Sequence, residues 1–253
     1  MAAQGCDAMD EKSYAQNYDF ENYYWWFVGR RIIVETMIKK YLRNVKEAVA
    51  LDSGCGTGIT LINLAHYARP IGIDSSATAL DYAKKRDIIN ILRADICAAP
   101  FKSESFDLIT MLGVLYNAGV KNDDEAIAEA FRILKRGGII VLDEAAYDFL
   151  KTRHNLNVGG VRRYTRRKII TKLEKCGFRV LKSTYWNLLM FFLFFMIAVL
   201  EKSNIIKKEL SGLNKLPDCL NSILIKYLQL EALFLRRRNI PFGPSVLLVG
   251  LKP

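Results

Sequence analysis

LDSGCGTG, residues 51–58, closes the apolar run EAVALDSG (47–54) with three glycines in five positions. A loop so bare of side chains lets a ligand come close to its backbone amides. The run ahead of it reads as a buried strand, and Ile59, Leu61, Ile62, Leu64 and Ala65 behind it fall at helical spacing. Strand, glycine loop and helix together make a nucleotide or anion seat. A Walker loop needs Gly-Lys-Ser/Thr, and GCGTGIT has no lysine. A dinucleotide loop spaces its glycines G-x-G-x-x-G, whereas Gly54, Gly56 and Gly58 fall as G-x-G-x-G. This tighter spacing, with Asp52 just ahead, suits a ligand without phosphates. Its amino-acid tail would lie on the amides while Asp52 meets its positive end.

Outward from the loop, strand-like and helix-like stretches alternate. PIGIDSS (70–76) is a second strand and ATALDYAKKR an amphipathic helix; INILRAD supplies a third strand and FDLITMLGVL (106–115) a fourth. DDEAIAEAFRILKRGG reads as a helix closed by glycine, GGIIVLDEAA (137–146) as a fifth strand, and GFRVLKSTYWN (177–187) and SVLLVGLK (245–252) as the last two. This order predicts an α/β, doubly wound, mostly parallel seven-stranded sheet. Asp74 ends the second strand twenty residues after Gly54, where an acid accepts both hydroxyls of a ribose. Asp95 follows the third strand, placed for an adenine amino group, with Ile96 against the ring.

Motif by motif, residues 47–145 resemble the class I S-adenosylmethionine-dependent methyltransferases, whose sheet is Rossmann-like. The matching stretches are LDSGCGTG, GIDSS, ADI, SFDLIT and ILKRGGIIVL, in order and at family spacing. The resemblance implies S-adenosyl-L-methionine as cofactor, lined by Asp52, Gly54, Gly56, Gly58, Asp74, Ser75, Asp95, Ile96 and Leu112. Tyr116-Asn117 stands where many members carry an acid-His pair, so a role carried there by histidine is not transferred.

The flanks resemble one subgroup of that family, the type 11/12 methyltransferases. ENYYWWFVGRRIIVETMI (21–38) looks like its N-terminal arm, in which aromatics precede Gly-Arg-Arg. Trp26 and Arg30 are the cofactor candidates there, Arg30 as partner of the methionine carboxylate; an aromatic helix simply packed on the core is the alternative. FLKTRHNLNVGGVRRYTRRKI (149–169) resembles the subgroup's His…Arg-Arg-Tyr-Thr loop through His154 and Arg162–Thr165, with Asn155 in place of an acid. His154, Tyr164 and Arg162 are the catalytic candidates, and Arg162, Arg163, Tyr116 and Asn117 the acceptor-binding ones. A histidine that only holds its loop, and arginines that are only solvated, stand as alternatives.

Residues 188–200 are thirteen consecutive apolar residues, and a bilayer span needs roughly 20. The run reads either as a buried helix or as a segment dipping into one leaflet and lining an acceptor tunnel. LNSILIKYLQLEALFLRRR (220–238) is a second apolar helix, ending in three arginines. The charge is lopsided as well. Residues 1–147 carry 17 basic and 20 acidic side chains, whereas 148–253 carry 20 and 6. Apolar helices with cationic flanks are how a monotopic protein sits on an anionic bilayer. The expected organisation is an N-terminal arm or cofactor lid (1–46), a cofactor-binding core (47–187), an apolar and basic helical insertion over the acceptor or membrane (188–240), and a last strand (241–253).

Five scattered cysteines and two histidines give no C-x-x-C pair, no disulfide framework and no metal site, and point to the cytoplasm. The cation-flanked apolar helices add the expectation of peripheral contact at the inner face of a membrane. The function expected is methyl transfer to an apolar or lipid-linked small molecule. A soluble sugar or natural-product acceptor is the first alternative. RNA methylation is weaker, because the basic half is interleaved with long apolar runs instead of spaced aromatics, and a cofactor-binding protein without catalysis is the third.

Overall fold

The computed structural model describes residues 9, 11–43, 47–152, 159–203 and 215–253. Two helices, α1 (Glu11–Phe20) and α2 (Trp25–Tyr41), precede the sheet. The alternating part then runs β1 (Val49–Ser53), α3 (Ile59–Leu64), β2 (Arg69–Asp74), α4 (Ala77–Lys84), β3 (Ile91–Arg93), β4 (Phe106–Leu112), α5 (Asp123–Ile133) and β5 (Leu134–Ala145). A 3-10 turn (Asp148–Leu150), α6 (Arg166–Lys175) and β6 (Arg179–Trp186) lead to the insertion, α7 (Leu188–Lys202) and α8 (Asp218–Leu235), and β7 (Ser245–Leu251) closes the sheet. The strands order as β3-β2-β1-β4-β5-β7-β6, all parallel except β7, which runs antiparallel to both of its neighbours. This is the expected seven-stranded Rossmann-like sheet.

Period-two alternation divides the core between the two faces. Leu51, Ile109, Ile140, Leu142 and Leu248 pack with Ala126, Ala130 and Ile133 of α5 and Ile169 and Leu173 of α6. Ala50, Leu108, Ile139, Val141 and Leu247 pack on the other side with Ile33, Val34 and Met37 of α2 and Leu224, Leu228 and Ala232 of α8. Gly29 lets α2 and α8 touch, since a Cβ there would lie 2.0 Å from Leu228 Cδ1. Side-chain caps start the helices where the sequence offers them: Ser76 accepts from Ala79 N–H, Asn122 from Asp124 N–H and Thr165 from Lys168 N–H.

One expectation changes, and one of two alternatives falls. The helix read through LKRGG ends at Ile133, because Leu134 pairs with Phe106 and β5 is already under way ahead of Gly137, whose φ is +77°. The apolar run 188–200 is a helix, but not a buried one. Of α7 only Ala198 and Glu201 are buried, while Leu189, Phe192, Leu193, Phe195, Met196 and Val199 are 44–59% exposed. Among the described residues no helix is long and apolar enough to cross a membrane.

Candidate active site

The strand order reverses between β1 and β4, and in open parallel sheets the ligand crevice lies outside the carboxyl ends of the strands at that point. The glycine loop sits there. Gly54, Gly56 and Gly58 have φ of +84°, +54° and +86°, a backbone that L side chains rarely adopt. A Cβ on Gly54 would meet Val114 at 2.6 Å and one on Gly58 would meet Ile88 at 2.5 Å, whereas nothing lies within 4 Å of a Cβ on Gly56. The outer glycines are therefore required by packing, and the middle one faces open space. Asp74 reaches across from the end of β2: Gly56 N–H donates to its Oδ2 and Ser76 N–H to its Oδ1, both at 2.9 Å. Asp95 accepts from Cys97 N–H at 2.9 Å, Ile96 beside it is buried, Ser75 is exposed and Leu112 half-buried.

Asp52 is buried at the end of β1, and Thr110 donates to its Oδ1 at 2.6 Å. Burial pushes this carboxyl up to about 7, against the Thr110 hydroxyl and the Arg30 guanidinium, which favour its charge. Asp143, at the end of β5, is also buried and accepts from Trp186 Nε1 at 2.6 Å; burial raises it to about 6, and Arg30 again opposes. Arg30 lies 4.7 Å over the Trp26 ring and 5.7 Å over Phe27, and its Nε is buried without a hydrogen-bond partner. A buried guanidinium N–H without an acceptor is costly until a carboxylate arrives. Together with a buried acid for an ammonium group, the Asp74 carboxylate at the end of β2 for hydroxyls and open space at Gly56, it makes a donor set that fits a nucleoside carrying an amino-acid tail.

On the far side of the crevice, residues 113–121 form a loop held from both polar directions. Glu144 is buried on β5, and its carboxylate accepts the N–H groups of Val114, Leu115 and Tyr116 at 2.8–3.1 Å; burial nevertheless pushes it up to about 8. Arg162 donates from the other side to the carbonyls of Leu115, Asn117, Val120 and Lys121 at 2.7–3.2 Å. Proposed from sequence as a catalytic and anion-holding group, Arg162 thus has its guanidinium turned onto the loop. Tyr164 is fully buried, its hydroxyl 2.8 Å from Asp123 Oδ2 and 3.1 Å from the Leu115 carbonyl, and burial first, then Glu144 and Asp123, raise its phenol. It is a post under the loop. Arg163 is buried, donates to the Ala146 carbonyl at 2.7 Å and is pulled down to about 10 by burial.

Tyr116 remains half-buried at the crevice, its ring 3.4 Å from where a Gly113 Cβ would stand. Burial and Glu144 raise its phenol, while Arg30 and Arg163 act in the opposite sense. Asn117 pairs its backbone with Gly160 and accepts from Gly119 N–H through its side chain. The structure thus brings Tyr116, Arg30 and Arg163 near one another; His154 lies outside the described residues.

Beyond the end of β5, Tyr147 has φ +56°, unusual for a bulky residue, and stacks at 5.0 Å on both Tyr185 and Phe149. Phe191 of α7 joins these rings and Phe242, which places the insertion beside the segment that follows β5. The start of α7 is capped from α8: Glu231 accepts from Asn187 N–H, from Leu188 N–H at 3.2 Å and from the Tyr227 hydroxyl. Sequence reading passed over Glu231, Asp143 and Glu144. Each was marked by an acid interrupting an apolar stretch, in LQLEALF and IIVLDEAA.

The family model described as a methyltransferase domain matches residues 51–142, from β1 through β5. An uncharacterised protein of Methanocaldococcus jannaschii is 31% identical over 182 residues, covering 68% of this chain and 82% of its own length. A demethylmenaquinone methyltransferase of Symbiobacterium thermophilum is 32% identical over 110 residues, but covers 39% of this chain and 43% of its own length. Among solved structures, a Haloferax volcanii chain from a complex of the Trm112 methyltransferase activator with a candidate methyltransferase superposes with TM-score 0.63 at 17% identity, covering 96% of this chain and 97% of that one. At that identity the likeness is one of fold.

Proposed function

Since this chain belongs to the class I S-adenosyl-L-methionine-dependent methyltransferases, we propose that its acceptor is an apolar or lipid-linked small molecule presented at a membrane surface. One observation carries the reading. The insertion beside the crevice bears two outward apolar stripes, Leu189, Phe192, Leu193, Met196 and Val199 on α7 and Leu220, Ile223, Leu230, Leu233 and Phe234 on α8, each side chain 41–68% exposed. Patches of this kind mark interaction surfaces. Lys202 ends α7 and Arg236–Arg238 follow α8, so cations flank the stripes, and each contributes about 1 kcal/mol near an anionic surface. The likeness of the core to a demethylmenaquinone methyltransferase supports the same acceptor class.

Within the crevice, Asp74 takes the ribose hydroxyls, Asp95 and Ile96 the adenine, Asp52 the ammonium and Arg30 the carboxylate of the cofactor. Bound there, S-adenosyl-L-methionine supplies a sulfonium methyl that needs alignment more than activation. The protein contributes a dry, rigid wall: Glu144 and Arg162 fix the 113–121 loop, and Tyr116 and Arg163 face the acceptor's polar head. His154 is the proton acceptor in this scheme.

Flotation with anionic vesicles tests the reading. Wild-type protein should float, and added salt should weaken binding without abolishing it, because buried apolar area is not screened. Protein that stays at the bottom of the gradient at low salt moves the assignment to a soluble small-molecule acceptor.

A further inference from the structure

The turn between α1 and α2 is pinned to two distant parts of the chain. Glu21, at the start of that turn, is 7% exposed; Thr57 of the glycine loop donates to its Oε2, and Arg86 reaches the same oxygen at 3.2 Å. Arg86 spends the rest of its guanidinium on the same junction. It donates to the Thr57 carbonyl at 3.0 Å, the Tyr18 carbonyl at 3.0 Å and Asn22 Oδ1 at 3.2 Å, and stacks 4.2 Å over the Tyr18 ring. Helix α1 itself has no buried residue, and this polar cluster ties its end down beside the packing of Phe20 on the core and of Tyr18 on Tyr82. On its other side the turn is held by Asn221 of α8, which donates to the Tyr23 carbonyl and accepts from Trp25 N–H, both at 2.8 Å. That bond caps α2, whose own N-cap residue Tyr24 supplies no side-chain bond.

We propose that Glu21, Arg86 and Asn221 are positioning residues that lock the 21–25 turn between the cofactor loop and the insertion helix, coupling cofactor affinity to the seating of α8. Thr57 lies between Gly56 and Gly58, so any shift of the turn is felt where the cofactor's amino-acid tail lies. A buried carboxylate carrying both a hydroxyl and a guanidinium has one favourable geometry and loses most of its partners in any other. By linkage, whatever strengthens the seating of α8 then strengthens cofactor binding, and the reverse holds to the same factor.

The test is calorimetry with S-adenosyl-L-homocysteine on the full chain, beside amide exchange of the α8 segment 218–224. Thr57→Val removes only the hydroxyl and keeps the volume; it should raise the Kd about tenfold, and Asn221→Ala, on a different element, about fivefold. In wild type the ligand should slow exchange at 218–224, and in Thr57→Val that protection should vanish. Arg86→Lys, which keeps the charge and loses the fork, should behave as Thr57→Val does. The two substitutions combined should cost no more than the worse one alone. Where Arg86→Lys fails to fold, Thr57→Val and Asn221→Ala decide. Affinities within twofold of wild type in both folded variants, or ligand protection of 218–224 that survives Thr57→Val, would overturn the coupling. Wild-type binding of the ligand checks the cofactor assignment separately.

Discussion

The two halves of the crevice are built on opposite principles. Around β1 and β2 the polar groups are short and close in sequence, Asp52, three glycines and Asp74 within twenty-three residues, and they bond within that stretch or to the neighbouring strand. Around β4 and β5 the polar groups come from far apart and are aimed at the protein's own loop, as Glu144 and Arg162 are. The apolar surface beside them is left outside. One half is a local construction at the glycine loop; the other is a rigid rim beside an apolar surface, and loops of that kind are where families vary their function.

The largest expected effect is at His154. His154→Ala is expected to cut turnover 10²–10⁴-fold while leaving cofactor affinity near wild type, as a lost proton acceptor does. S-adenosyl-L-homocysteine release with a membrane lipid extract as acceptor source gives the rate, and calorimetry the affinity. A drop of less than tenfold makes His154 a loop-holding residue.

The insertion comes next. Leu193→Ser/Met196→Ser should weaken vesicle binding about 100-fold, on the scale of two apolar side chains withdrawn from lipid, with Tm and cofactor affinity unmoved. Phe191→Ser should instead lower Tm, because Phe191 packs against Tyr147 and Phe242. Vesicle binding that is indifferent to the double change would erase the distinction between the outward and inward faces of α7.

Asp74→Ala should weaken S-adenosyl-L-homocysteine binding about 30-fold, the worth of roughly 2 kcal/mol of charge-assisted hydrogen bonds, without changing flotation. Unchanged affinity would remove the ribose assignment.

The smallest effect is in pH. Asp52 is raised to about 7 in the folded chain from an ordinary 3.8. The unfolded chain therefore loses this proton first, so stability should fall as pH rises from about 4 to about 7 and then level off. A cofactor ammonium favours the ionised carboxylate, so affinity should drop about tenfold between pH 8 and pH 6, with proton release on binding at pH 6. Calorimetry in buffers of different ionisation enthalpy reads both. Affinity flat across that range would place the ammonium elsewhere.

The same contrast governs what the sequence discloses. Gly54, Gly56, Gly58 and Asp74 are legible because one local backbone shape demands them at fixed spacing. Arg86 is invisible by that route: KKR at the end of a helix reads as a solvated run, and only the fold carries Tyr18 and Glu21 to it. Arg162 was legible as a residue but not in its contacts, since a guanidinium suits four carbonyls as readily as one anion. The apolar run 188–200 announced a helix without saying which side faces out, because thirteen apolar residues carry no periodicity to orient it.

Asn221 and Trp25 are 196 residues apart in the chain, and so are Arg236 and Lys40, whose Nζ donates to the Arg236 carbonyl. On a ribosome adding roughly 5–20 residues per second, α2 therefore emerges about 10–40 s ahead of the helix that covers it. For that interval Trp25, Phe27 and Gly29 present an uncovered groove, and the seam of the molecule is closed last by its C-terminal quarter. A nascent chain stalled before residue 215 should thus be a client for holdase chaperones, and the closed seam a product of the late arrival of α8 more than of early folding.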